Sequence, residues 1–210
     1  MHRILFFLCF GMLLIAACTS SNKKTEETKS TTDTASTTLI PAYTQGLDEV
    51  ITGFTNAYLL RNQTKINTFI HPDLGLYVIY RPGAADTYQK IDHLDFDNPT
   101  PEHFPYTTFE HNYILRFEKL PVFDCGKEKW DKRGFFCDTT TQANQLTSIA
   151  TFDREFNGVS AREVEEVRQI EKNTYRVILT QNENLIFHVK KYRDKWYVIV
   201  LDRAYGWCDA

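Results

Sequence analysis

The chain has 210 residues, with 24 Lys and Arg set against 27 Asp and Glu and a formal net charge of −3. The basic residues are scattered, which argues against a nucleic-acid binder, whose Lys and Arg cluster on one face. Phe, Tyr and Trp make up 14% of the residues, enough to fill a core, and the chain beyond residue 38 is one domain's worth. It contains no Gly-rich phosphate loop, heptad run or internal repeat.

Met1-His2-Arg3 is a short positive start. Ile4 to Ala17 is an apolar run of about 14 residues, within the range of a secretory leader and short of the ~20 needed to span a bilayer. It stops at Ile15-Ala16-Ala17-Cys18, which resembles the lipobox of bacterial lipoproteins. The resemblance implies a signal peptide over residues 1–17 and a lipid on Cys18. In Gram-negative lipoproteins, Asp after the lipidated Cys favours the inner membrane; Thr19 stands here, which implies the outer membrane. The alternative is an ordinary signal peptide with an incidental cysteine.

Residues 18–38 are then almost wholly Ser, Thr, Lys, Glu, Asp and Asn. Such a segment cannot bury enough apolar surface to offset its ordering entropy. It reads as a tether with a reach of about 25 Å as a flexible coil, leaving 39–210 as a single folded domain. Asp33-Thr34-Ala35 and Asp138-Thr139-Thr140 resemble the site of Asp, then Ser or Thr, then a small or aliphatic residue that some Gram-negative anaerobes O-glycosylate, which marks Thr34 and Thr139.

Within the domain, Leu47, Val50, Ile51, Phe54, Ala57 and Tyr58 form one apolar stripe, predicting a helix over 44–60 with Thr44 as its cap. A second short helix is expected over 64–70, ended by His71-Pro72. "LYVIYR" reads as a strand stopped by Pro82-Gly83. Residues 84–105 are polar and broken by three prolines. Strands follow over 113–120 and at "GFFCDT", then a helix over 142–156 ended by Asn157-Gly158. Residues 161–166 read as a weak helical turn. "VRQI", "TYRVILT", "LIFHVKKY" and "KWYVIVLD", separated by short polar turns, predict an antiparallel meander. In the last of these both alternating faces are apolar, with Trp196, Val198 and Val200 on one and Tyr197, Ile199 and Leu201 on the other, so it is expected to be central.

Beyond Cys18, three cysteines remain. A bridge between Cys125 and Cys137 across the polar loop would contribute about 2–3 kcal/mol if unstrained; the alternative pairs Cys208 with one of them. With no C-x-x-C and no paired His spacing, a zinc site is not expected, and nothing points to a cofactor. If "IDHLDFD" is extended, His93, Asp95 and Asp97 share one face, with Leu94 and Phe96 opposite; the plainer reading is a solvated loop anchored by its two apolar residues. His188 reads as a satisfied sheet histidine. Tyr77, Tyr80, Tyr113 and Trp196 are candidates for a concave aromatic wall, with Arg81 or Asp202 at the floor of a ligand pocket, although most are expected to be core.

Helices first, then a curved antiparallel sheet ending in "YRDKWYVIVLD", is similar to the nuclear-transport-factor-2-like cone fold. The fold class expected is therefore α+β, with N-terminal helices packed on a curved antiparallel sheet. That fold serves catalysis and binding alike. The function expected is an envelope-anchored lipoprotein with a non-enzymatic binding or structural role. It would meet the membrane through its lipid and bind an envelope protein, a glycan or a small ligand, with no nucleic acid. The alternatives are a small hydrolase or isomerase using an Asp–His pair, with His93, Asp95 and Asp202 as candidates, and an assembly subunit.

Overall fold

The stripe Leu47, Ile51, Phe54 and Tyr58 winds into helix α1 (Leu47–Leu59) and is buried along its length. Residues 46–181 and 183–205 are described in this computed structural model, and all belong to the unit Ile40–Ala210. Gly46, in the left-handed region at φ 77°, occupies the N-cap of α1; the expected cap, Thr44, lies outside the described residues. Helix α2 (Gln63–Asn67) is capped by Asn62, whose side chain accepts from the Lys65 amide at 2.9 Å.

After α2 come β1 (Leu76–Tyr80), β2 (Thr87–Ile91), β3 (Leu115–Phe117), β4 (Phe123–Asp124), β5 (Lys129–Trp130) and β6 (Gly134–Asp138). Helices α3 (Gln145–Phe156) and α4 (Ala161–Glu171) follow, then β7 (Thr174–Thr180), β8 (Asn184–Tyr192) and β9 (Lys195–Asp202). Seven of these strands form one sheet in the order β2-β1-β9-β8-β7-β6-β3, and β4 pairs with β5 separately. β1–β9 and β3–β6 are parallel; the other pairings in the large sheet are antiparallel. The fold is thus α+β, with the meander β7-β8-β9 where the polar turns place it.

The arrangement of helices differs from expectation. Only α1 and α2 precede the sheet; α3 and α4 are inserted between β6 and β7. "VRQI", read as a strand, lies inside α4. The physical reason is local: Ser160 and Glu163 form a reciprocal capping box, and Val164 and Val167 are buried one turn apart with Ile170 half-buried beyond them. A four-residue window is too short to show that period.

The two helix pairs cover opposite faces of the sheet. Phe54, Tyr58 and Ile66 pack with Val78, Phe135, Phe187, Trp196 and Val198. Leu146, Ile149, Val164 and Val167 pack with Tyr77, Ile79, Ile199 and Val200. β9 is central, as its doubly apolar pattern predicts, but its two faces do not simply alternate. His188 pairs with Val200 and Val189 with Val198, leaving Ile199 as the extra residue of a β-bulge. The bulge inverts the phase, so Val200 joins the α3–α4 side and Leu201 the α1 side. Where β9 bulges, the Val198 amide donates to the carbonyl of Phe69 at 2.8 Å.

The Cys125–Cys137 bridge is not formed. Cys137 is a buried free thiol on β6, while Cys125 is disulfide-bonded. Cys137 lies in the α1-side core with Phe135 and Val177, on a strand flanked by β7 and β3, so its thiol faces the core and not the polar loop. Cys208 lies outside the described residues, as do Cys18, Thr34 and the leader and tether.

Candidate functional site

β1 and β9 run in parallel, and β8 starts where they end. Their shared end, with the segment around Pro101–Thr107 and the turn at Arg203–Tyr205, encloses a cleft of about 600 Å³. Its lining is largely aromatic and apolar, including Tyr58, Tyr80, Phe104, Leu201 and Tyr205. Arg81, Glu183, Asp202 and Arg203 are its charged members.

Asp202 sits on the α3 side of β9, and its carboxylate is consumed by the protein. Oδ2 accepts from Gln145 Nε2 at 2.8 Å and from the Arg176 guanidinium at 2.8 Å. Oδ1 accepts from the amides of Ala204 at 3.0 Å and Tyr205 at 3.1 Å. The side chain has no solvent exposure. With four donors on it, this carboxylate holds the last turn in place and has no lone pair free for a substrate proton.

The same residues extend into a buried polar chain. Gln145 Oε1 meets His188 Nε2 at 3.1 Å. Because the Gln145 amide nitrogen is already donating, His188 is assigned the Nε2–H tautomer. Among the described residues its Nδ1 has no hydrogen-bond partner, and it faces Glu171 Oε1 at 3.9 Å. Burial, and then the neighbouring Arg176 charge, hold His188 well below the usual imidazole range, so the ring is neutral. Glu171 is buried and accepts from the Leu146 amide at 3.0 Å and the Thr147 amide at 2.9 Å, filling the N-terminus of α3. Gln145, Glu171 and Arg176 carry no local sequence signal; only the topology brings them to one place.

Arg203 belongs to the other face. Its guanidinium donates to the carbonyls of Thr100, Phe104 at 2.8 Å and Pro105 at 2.9 Å, over the Tyr106 ring at 4.6 Å. Tyr58 is 4% exposed, and burial raises its phenol, so the hydroxyl keeps its proton. Arg81 bonds Asp86 at 2.6 Å.

His93 and Asp95 lie elsewhere. His93 is exposed. Hydrogen bonds from the Asn98 side chain and from the Asp97 amide hold Asp95 below the usual carboxylate range, with a smaller contribution from His93. Neither residue lines the cleft. Leu94 and Phe96 are buried, so the anchored-loop reading describes this segment. The anchors are side chains of α2: Asn67 Oδ1 accepts from the Leu94 amide at 2.8 Å, and Gln63 Oε1 from the Phe96 amide at 3.1 Å. Among the described residues, no group of three or more His, Cys, Asp or Glu is placed to hold a metal ion.

Of the four aromatics considered as one wall, only Tyr80 lines the cleft. Tyr77 packs under α3 and α4, while Trp196 and Tyr113 belong to the α1 side; a sheet covered on both faces divides them. Arg81 and Asp202 are among the residues that line the cleft. Thr139 is half-buried at the end of β6, beside Asp138, whose carboxylate accepts from the Thr140 amide and hydroxyl.

No family model matches the chain, and neither a curated protein nor a solved structure matches it.

Proposed function

We propose that the chain is an envelope-anchored lipoprotein whose folded unit has a non-enzymatic binding role, with the cleft at the end of β1, β8 and β9 as its site. The anchor rests on the lipobox at Ile15–Cys18 and the polar segment after it; Thr19 favours the outer membrane. The observation that carries the binding role is the pairing of an aromatic cleft of about 600 Å³ with an Asp202 whose oxygens are all engaged. Ligand pockets fall in the range of ~300–1,000 Å³. A small ligand fits that opening better than a glycan chain or a partner protein, and no coenzyme is invoked.

The nuclear-transport-factor-2-like fold is part of the same proposal. Its support is the order of α1 and α2 before a sheet that ends in "KWYVIVLD"; α3 and α4 would then be an addition to it.

Two measurements test the reading. Mass spectrometry of the protein purified from its own cells should find a chain starting at an acylated Cys18. Small molecules released on denaturation should include one that co-purifies with the wild type and is absent from Gly83→Trp. Gly83 lines the cleft, and a Cβ there meets nothing within 4 Å, so an indole is added at the cleft wall without disturbing the fold. An intact leader overturns the anchor, and identical released molecules from both proteins overturn the site.

A further inference from the structure

We propose that the cleft takes a small monocarboxylate with an apolar body, its head group held between Arg203 and the Tyr58 hydroxyl. This rests on the binding reading above and names the ligand class for the same site.

Arg203 is half-buried and, among the described residues, a cation without a counter-charge. Its three bonds go to carbonyl oxygens, which orient the guanidinium but leave its charge uncompensated. Among the described residues no Asp or Glu lies within ion-pair distance of it. A guanidinium carries five N–H donors, so two remain uncommitted. Tyr58 adds a second available donor. The residue is 4% exposed and lines the cleft, yet its hydroxyl makes no hydrogen bond among the described residues. The hydroxyl is not one of the fully buried polar atoms left without a partner, so it opens to the cleft, where a ligand acceptor can take its hydrogen bond.

Two donor groups and one positive charge call for an acceptor-only anion. A carboxylate meets both donors with charge-assisted bonds. The rest of the lining selects against more charge. Glu183 at the rim is exposed and negative, and Asp202 offers no donor. A dianion such as phosphate would meet repulsion there, whereas the rings of Tyr80, Phe104 and Tyr205 suit an aliphatic or aryl body.

Titration calorimetry on the full chain with sodium octanoate, 1-octanol and octylammonium chloride tests this. Octanoate should bind saturably at one site, with the alcohol and the amine at least about tenfold weaker. Tyr58→Phe removes a hydroxyl that bonds none of the described residues, so the fold is kept, and octanoate affinity should fall by about tenfold or more. Gly83→Trp should abolish binding. Equal affinity for octanoate and octanol, no octanoate binding, or unchanged affinity in Tyr58→Phe or Gly83→Trp overturns the proposal. If a non-carboxylate co-purifies in a Gly83-dependent way, the binding site stands and only this ligand class falls.

Discussion

Arg176 and Asp202 meet at 2.8 Å on the α3 side of the sheet, the first 15% exposed at its side chain and the second not at all. The pair is the main reason to read Asp202 as structural. Removing one partner of a buried pair strands the other charge, at a cost of about 3–5 kcal/mol. Asp202→Ala should therefore lose stability of that order in urea unfolding, because Gln145, Arg176 and two amides lose their acceptor together. A neutral or stabilising effect would instead mark Asp202 as a strained functional group.

His188 should make stability pH-dependent. The folded ring is held well below its usual range, whereas in the unfolded chain it titrates near 6.5. Below about pH 6.5 the unfolded state thus binds one proton more. This contribution is complete above that value and is lost as the pH falls, at about 1.4 kcal/mol per pH unit. Comparing wild type with His188→Gln between pH 6.5 and 5 isolates it; coincident slopes would show that the folded ring is protonated. Glu171, Arg176, Gln145 and Asp202 are the polar groups around that ring, and the variant leaves all four.

Cys137 should be silent towards alkylation in the native protein. Burial pushes its thiol up to about 12, and the thiolate is the reactive form. Iodoacetamide at pH 8 should label it only after denaturation. Without reduction, peptide mapping should find Cys125 in a bridge that does not contain Cys137. Labelling of native Cys137 would contradict its place in the core.

Ser160→Ala should cost about 1 kcal/mol, the usual worth of a lost N-cap. The Ser160 hydroxyl accepts from the Glu163 amide at 3.2 Å, and the Glu163 carboxylate returns to the Ser160 amide at 3.0 Å. Thermal unfolding measures it. A cost near zero would show that packing of Val164 and Val167 alone holds α4.

Periodicity located α1, β1, β6, α3 and the β7–β9 meander, because each carries a run long enough to repeat. It missed β2, whose "TYQKI" is half exposed and edge-placed, so no core face selects its residues. It misread α4 by its last residues, although Ser160 and Glu163 spelled the start. The cleft was legible only as Tyr80, Arg81 and Asp202. Tyr58 and Arg203 were not, because one is on the first helix and the other follows the last strand, and side chains so distant in sequence come to one cleft only because α1 packs on β9. The cysteine pairing failed for a related reason: loop length says which thiols can approach, not which one a sheet has already buried.

The unpaired Ile199 decides where the chain's last two charged side chains point. Counting by twos from Trp196 would send Asp202 into the greasy layer beneath α1, among Phe54 and Phe187, and leave Arg203 beside the His188 chain. One supernumerary residue swaps these destinations, delivering the acid to Arg176 and the base to the cleft. Deleting that single position would straighten the ladder yet keep both addresses, because Val198 and Val200 already face opposite sides as adjacent strand residues do, whereas a pairing that absorbed Ile199 without the bulge would exchange them.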